Sequence, residues 1–372
     1  MRVVLTGGGT GGHIYPAIAI GRDLQRRVPG VEIIYIGTDK GLEADIVPKE
    51  GFAFRTVEVE SLPRTLSVQT VRTGYKLVRG LVGARGILRD FKPDIVIGTG
   101  GYVCGPVVFA AARMGIATVI HEQNALPGIT NKLLARSARA VLLTFPESRQ
   151  YFPERANVEV TGLPIRPGIL AVKREAGIAA LGLDPNKFTL FATGGSRGAK
   201  SINLAMADVI AHLIDRSDIQ VVLATGTATY NDFLRILAQK KIDLHAHQNI
   251  LVKPYIYEMG EALAAADLCV CRAGAAFMAE LLAKGKPSIL VPYPFAAENH
   301  QEHNAAAVVK HGGAAMILDK ELTGARLTTE VDGFLANPQL LQTMAQAALA
   351  MGKPQALEQI TNVIMRISGI GA

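Results

Sequence analysis

Leu5-Thr6-Gly7-Gly8-Gly9-Thr10-Gly11-Gly12-His13 joins an apolar run, Arg2–Thr6, to a helical pattern over Ile14–Leu24. A second stretch of the same kind joins the run Phe188–Thr193 to a helical pattern over Ser201–Leu213. It reads Phe191-Ala192-Thr193-Gly194-Gly195-Ser196-Arg197-Gly198-Ala199-Lys200. Glycine lets the backbone approach a ligand closely and take positive φ. A helix N-terminus adds unpaired N–H groups and a partial positive charge, so strand, glycine loop and helix start together bind phosphate. A single loop of this kind is equally well a tight strand-to-helix turn; two in corresponding places favour ligand binding. Gly7-x-Gly9-x-x-Gly12 has the spacing of the dinucleotide fingerprint, but Asp39 comes late for the acidic residue that reading wants. A P-loop needs Gly directly before Lys, and Ala199 stands there instead.

Outward from the loops, β-branched runs alternate with helical patterns. The first half has Arg2–Thr6, Glu32–Gly37, Phe54–Val59, Asp94–Gly98, Ala117–Glu122, Ala140–Phe145 and Val158–Thr161. The second has Phe188–Thr193, Ile219–Thr225, Ile250–Val252, Leu268–Arg272, Ser288–Pro292 and Ala315–Leu318. Continuous apolar strands separated by helices predict α/β architecture, with a parallel, doubly wound sheet in each half. The chain's 372 residues also exceed what one core usually organises. Two prolines and two glycines in Gly162–Gly168 place the boundary there, giving domains 1–164 and 165–348.

Composition narrows the function classes. Hydrophobic residues make up 49%, so the chain is not disordered. Trp is absent and aromatics are sparse, which argues against a stacking platform for nucleic acid. No run reaches the roughly 18–20 apolar residues of a spanning helix, and the N-terminus has no signal-peptide pattern. A cytoplasmic protein is the expectation, and three cysteines agree with a reducing compartment. A net charge of +7 implies acidic partners such as nucleotide phosphates or anionic lipid. Paired thiol spacing and a D-x-D triplet are both lacking, so no metal and no cofactor is expected.

Other strand ends are polar. Gly100-Gly101-Tyr102-Val103 follows one run, and His121-Glu122-Gln123-Asn124 follows the next. His13, His121, Glu122 and Asn124 are expected to converge on the crevice beyond the carboxyl ends of the strands. Cys271-Arg272-Ala273-Gly274-Ala275 opens a helix that carries Glu280, and Pro292–Asn304 is a polar loop entering another. Between Pro63 and Pro93, Arg64, Arg72, Lys76, Arg79, Arg85, Arg89 and Lys92 face one acid, Asp90. Arg72, Lys76 and Arg79 make one basic stripe, with Leu77, Val78, Leu81, Val82, Ile87 and Leu88 beside it. Such a helix suits an anionic membrane, or packs its apolar side in the core and solvates its charges.

In combination, Gly8–His13, Gly100–Val103, His121–Asn124, Gly194–Ala199 and Cys271–Ala275 resemble the MurG family, the N-acetylglucosaminyltransferases of peptidoglycan synthesis. The resemblance runs nearly the whole chain. It implies a GT-B fold, two Rossmann-like domains with parallel sheets facing across a cleft, and a C-terminal helix (about 349–372) packing back on the first domain. It implies inverting transfer of N-acetylglucosamine from UDP-N-acetylglucosamine to the C4 hydroxyl of lipid I, an undecaprenyl-diphosphate acceptor. The site would be the cytoplasmic face of the inner membrane, with other cell-wall synthesis proteins as compatible partners. Carried over by motif, Thr10, Gly11, Gly12, Asn124, Arg166, Ser196, Ile256, Arg272, Ala275 and Gln301 look like donor contacts, with Glu280 on the ribose. His13 looks like the general base, with Glu122 a second catalytic candidate. Gly9, Gly100, Gly101, Tyr102, His121 and Gly195 belong to the acceptor and diphosphate loops. Cys104, Arg197 and Ala276-Phe277 depart from the family's pattern. A UDP-N-acetylglucosamine 2-epimerase, another lipid glycosyltransferase, an NAD-dependent oxidoreductase and a non-catalytic sugar-nucleotide sensor remain as alternatives.

Overall fold

The structure, a computed structural model, describes residues 1–60 and 68–370. It divides into two units, Met1–Pro164 with Gln355–Ala372, and Ile165–Pro354.

Unit 1 holds seven parallel strands: β1 (Arg2–Thr6), β2 (Glu32–Gly37), β3 (Ala53–Thr56), β4 (Ile95–Gly98), β5 (Ala117–Glu122), β6 (Ala140–Leu143) and β7 (Val158–Val160). Their order is β3-β2-β1-β4-β5-β6-β7. Its helices are α1 (Gly11–Arg27), α2 (Leu42–Lys49), α3 (Val68–Phe91), α4 (Cys104–Arg113) and α5 (Ile129–Leu134). Successive strand residues point to opposite faces. Val4, Val96 and Ile120 therefore meet Ala84 and Leu88 of α3 and Val107 and Val108 of α4. Val3, Leu5, Ile95 and Ile97 meet Ile14, Ala17 and Leu24 of α1 on the other side. That second face is completed by Ile360, Val363 and Ile364 from the chain's last helix.

Unit 2 begins with α6 (Pro167–Ala171) and α7 (Arg174–Leu181). It continues through β8 (Phe188–Thr193), α8 (Lys200–Leu213), β9 (Ile219–Ala224), α9 (Tyr230–Gln239), β10 (Ile250–Lys253) and α10 (Met259–Ala265). Then come β11 (Leu268–Cys271), α11 (Ala275–Ala283), β12 (Ser288–Leu290), α12 (His300–Lys310), β13 (Ala315–Met316), α13 (Gly324–Leu335) and α14 (Pro338–Met351). The six strands are parallel in the order β10-β9-β8-β11-β12-β13. The final helix, α15 (Ala356–Ile367), belongs to unit 1. Both sheets are thus doubly wound, as the alternation of runs and helices predicts.

Three details of the elements go beyond the sequence reading. α1 starts at Gly11, ahead of the apolar periodicity at Ile14. First-turn residues need no intrahelical N–H partner, so the glycines of the loop can also form the helix start. At the C-terminus, α14 stays with unit 2 and the chain from Gln355 joins unit 1. α3 is helical as read, and Gly80 within it admits close backbone approach. A Cβ there would lie 2.6 Å from Val59 Cγ2 and 2.9 Å from the Glu58 carbonyl oxygen. Arg64 and the side chain of Arg72 lie outside the described residues. Lys76 and Arg79 form ion pairs with Glu60 and Glu58, so the stripe is partly neutralised from within. Leu81, Ile87 and Leu88 pack against the core, whereas Tyr75, Val78 and Val82 are exposed by 65%, 58% and 68%.

Candidate functional site

Strand order reverses between β1 and β4 in unit 1 and between β8 and β11 in unit 2. Open parallel sheets bind ligands beyond the carboxyl ends of their strands at such reversals. Both glycine loops sit there.

In unit 1 the loop after β1 is held from every side. Tyr35 of β2 donates its hydroxyl to the Gly7 carbonyl at 2.7 Å. Burial, reinforced by Glu43, pushes that phenol well above its ordinary value, so it stays a neutral donor. Gly8 N–H donates to the Gly100 carbonyl at 3.3 Å. Gly101 has φ +83°, and a Cβ there would stand 2.3 Å from the Gly8 oxygen. The Tyr102 ring lies 3.4 Å from where a Gly9 Cβ would be. Thr99 at the end of β4 donates its hydroxyl to the His13 carbonyl at 2.7 Å.

His13 is in the first turn of α1. Its Nδ1 lies 3.0 Å from the Gly8 carbonyl oxygen. A carbonyl only accepts, so Nδ1 carries the ring proton and Nε2 is the ring's acceptor nitrogen. Gly100 (φ +102°) brings its backbone close to the ring edge; a Cβ there would meet ring atoms at 2.9 and 3.2 Å. Thr10 and Gly12 are exposed and Gly11 half-buried at this helix start.

In the His121–Asn124 segment the first three side chains are buried. His121 is fully buried and its Nε2–H donates to the Gly162 carbonyl at 2.8 Å. Burial pushes its imidazole down to about 4. Gln123 donates to His121 Nδ1 at 3.0 Å and to the Thr99 carbonyl at 2.7 Å, tying β5 to β4. Glu122 is also buried, and burial raises its carboxyl although hydrogen bonds oppose the shift. It accepts from Asn124 N–H at 3.0 Å, Gly128 N–H at 3.2 Å and Asn131 Nδ2 at 2.8 Å. The Glu122 oxygens shape the loop that carries the half-buried Asn124. His121 joins strand ends through both ring nitrogens.

In unit 2 the loop after β8 is tight at its ends and open at its tip. Gly195 and Gly198 have φ +86° and +79°. A Cβ on Gly194 would stand 2.2 Å from Ala199 N, and one on Gly198 2.1 Å from the Thr225 oxygen. Ser196 and Arg197 are exposed at the tip. α8 begins from Ala199, whose side chain has no oxygen to cap the first-turn N–H groups.

Glu280 of α11 is buried and meets Arg166, which precedes α6. Arg166 Nε donates to Oε1 at 2.7 Å and Nη2 to Oε2 at 2.8 Å. The Arg166 side chain is 60% exposed and that of Glu280 only 6%. These hydrogen bonds raise the guanidinium's pKa. Arg166, read as a donor contact, and Glu280, read as the ribose carboxylate, thus form one bidentate pair.

Arg272, at the end of β11, is fixed by the Val291 and Pro292 carbonyls, by Asp319 at 2.5 Å and by Ser201 at 3.0 Å. It also lies 5.6 Å from the Tyr293 ring centroid. Gln301 Oε1 accepts from Tyr293 N–H at 2.9 Å. Ala275 opens α11, and Ile256 is buried after β10. Among the described residues no group of three or more His, Cys, Asp and Glu is placed to hold a metal ion.

Sequence reading missed Glu43, Thr38, Thr99, Ser201 and Asp319. Glu43 had a faint signal: an acid shortly after the end of the second strand, where Asp39 alone was weighed. Asp319 had none, since it meets Arg272 only through folding.

Residues 3–143 match the glycosyltransferase family 28 N-terminal domain, and residues 189–360 match its C-terminal domain. A protein of Desulfitobacterium hafniense is 53% identical over 365 residues, covering 98% of this chain and 99% of the relative. One of Desulforamulus reducens is 50% identical over 367 residues, covering 99% of each. Both carry the name UDP-N-acetylglucosamine–N-acetylmuramyl-(pentapeptide) pyrophosphoryl-undecaprenol N-acetylglucosamine transferase. The crystal structure of Acinetobacter baumannii MurG matches with TM-score 0.80 and 27% identity over 98% of this chain and 99% of that one. A Listeria monocytogenes structure described as a putative UDP-N-acetylglucosamine 2-epimerase, at 14% identity and TM-score 0.67, shares the fold. With both domains matched in chain order and half-identical relatives spanning it end to end, the chain belongs to glycosyltransferase family 28, in its MurG branch.

Proposed function

We propose that this enzyme moves N-acetylglucosamine from UDP-N-acetylglucosamine to the C4 hydroxyl of the muramyl sugar of lipid I, forming lipid II with inversion. The relatives' name supplies the substrates. The observation that carries the chemistry is the 3.0 Å contact of His13 Nδ1 with the Gly8 carbonyl oxygen, which calls for the proton on Nδ1 and makes Nε2 the acceptor. Nε2 takes the C4 hydroxyl proton as that oxygen bonds to the anomeric carbon. The bond from that carbon to the β-phosphate oxygen breaks, and UDP leaves with the electron pair. Attack opposite the leaving group turns an α-linked donor into a β1→4 product. Gly194–Ala199 and the uncapped start of α8 suit the departing diphosphate. Thr10, Gly11, Gly12, Asn124, Arg166, Ser196, Ile256, Arg272, Ala275, Glu280 and Gln301 are the donor contacts in this reading.

The acceptor's lipid tail calls for a membrane surface. No helix among the described residues is long and apolar enough to cross one. Exposed Tyr75, Val78 and Val82 on α3, with Arg79, Arg85 and Arg89 on the same helix, suit peripheral contact with anionic lipid at the cytoplasmic face.

The test supplies UDP-N-acetylglucosamine and a lipid I analogue and follows disaccharide lipid and UDP. Equal amounts of both are expected. Donor that is bound or epimerised with no disaccharide formed sinks the reading.

A further inference from the structure

We propose that Glu43 is a positioning residue for the base, acting on His13 through the Gly8–Gly9 peptide group. The inference rests on the reading of His13 as base. Gly9 N–H donates to Glu43 Oε2 at 3.1 Å, and the Gly8 carbonyl accepts from His13 Nδ1–H at 3.0 Å. That N–H and that carbonyl belong to one peptide unit. In a trans peptide they point in opposite directions. Carboxylate, peptide and imidazole therefore stand in a row.

Glu43 is 0% exposed, in the first turn of α2. Its other oxygen accepts from Thr38 N–H at 3.2 Å and from the Thr38 hydroxyl at 2.7 Å. Three glycines make room for it: a Cβ on Gly8, Gly37 or Gly41 would stand 2.7, 2.6 or 2.3 Å from its side-chain atoms. A neutral side chain could brace this turn without the desolvation that burying a carboxylate entails. What the carboxylate adds is charge. At the N–H end of a peptide it makes the carbonyl oxygen a stronger acceptor. The Gly8 oxygen then holds the Nδ1–H tautomer and favours the imidazolium that forms when Nε2 takes a proton. A buried Asp does this by direct contact in the Ser-His-Asp triad; here a peptide group is interposed. Other titratable side chains around the loop are Tyr35 of β2, Tyr102 after β4, Tyr15 of α1 and Cys104 of α4, whose thiol bonds the Gly100 backbone. Among these five, Glu43 is the carboxylate.

The experiment compares the full-length parent with Glu43→Gln and, in parallel, His13→Gln. For Glu43→Gln, kcat with the lipid I analogue is expected to fall about tenfold or more, short of the ~10²–10⁴ typical of losing a base. The KM for UDP-N-acetylglucosamine should stay within about twofold, because Gln keeps an acceptor for Gly9 N–H and so keeps the loop that carries Thr10, Gly11 and Gly12 in place. The acid limb of kcat should move to lower pH, because His13 loses a group that favours its protonated form. A brace alone would leave that limb in place. An unchanged kcat and acid limb in Glu43→Gln, with His13→Gln inactive, overturns the relay and spares the base. Full activity in His13→Gln overturns the base reading itself. Nitrogen-15 histidine NMR of the parent needs no folded Glu43 variant: the signal lost in His13→Gln should report Nδ1–H, and a dominant Nε2–H tautomer overturns the relay.

Discussion

His121 and Glu122 are neighbours in sequence, and strand alternation sends their side chains to opposite faces of the sheet. Each is buried and hydrogen-bonded, and the two titrate in opposite senses. His121 falls to about 4 from an unfolded value of 6.5. Between those values the unfolded chain binds a proton that the folded chain refuses, so stability falls as pH drops through that window. At about 1.4 kcal/mol per pKa unit the loss is on the order of 3 kcal/mol. The raised carboxyl of Glu122 gives the reverse slope, stability falling as pH rises above its unfolded value. Comparing the parent with His121→Gln isolates the histidine: the Tm of the variant should fall less between pH 6.5 and pH 4, and parallel curves would refute the assignment. Arg166 and Glu280 call for a different comparison. Removing either leaves the other's charge without its bidentate partner. Arg166→Ala and Glu280→Gln should each raise the KM for UDP-N-acetylglucosamine about tenfold. Their effects on Tm should sum to more than the double variant shows, since both remove the same hydrogen bonds.

At the scale of elements, the same short list of devices recurs in both units: a parallel strand, a glycine loop with positive φ, and a helix whose first turn is left open. The loops were legible from residue type alone, because few side chains other than glycine tolerate that backbone. α3 was half legible. Its period is plain in sequence, but which of its faces is buried depends on Gly80 meeting Val59. Exposed Tyr75, Val78 and Val82 therefore contribute little to the core. Val78→Asp with Val82→Asp should leave Tm within about 1 °C, surface changes being worth less than ~0.5 kcal/mol. Sedimentation of the protein with anionic vesicles should drop several-fold. Unchanged sedimentation would separate α3 from membrane binding.

At the scale of the whole molecule, α15 stands out, because the chain leaves unit 1 at Ile165 and returns to it at Gln355. Arg27 donates to the Glu358 carbonyl and pairs with Asn362, and Arg366 pairs with Glu159. Ending the chain at Lys353 exposes the surface against which Ile360, Val363 and Ile364 pack. At about 1.5–3 kcal/mol for each buried side chain, unit 1 should lose at least about 4 kcal/mol. Calorimetry should show a lowered transition; an unchanged one would mean that α15 adds nothing to that core. The thirteen strands among the described residues, their parallel pairing and the two glycine loops could be read from the chain, because apolar runs, helical periods and glycine spacing are local properties. The branch of the family could be read too, because its motifs are local and ordered along the chain. Tertiary structure alone decided that Glu122 and His121 face inward, that Arg166 closes on Glu280, and that Glu43 lies behind the Gly8–Gly9 peptide. Those partners are 34 to 114 residues apart in the cases of Glu43–Gly9 and Arg166–Glu280, and only the packed sheets determine which of two polar side chains meets water and which meets the other.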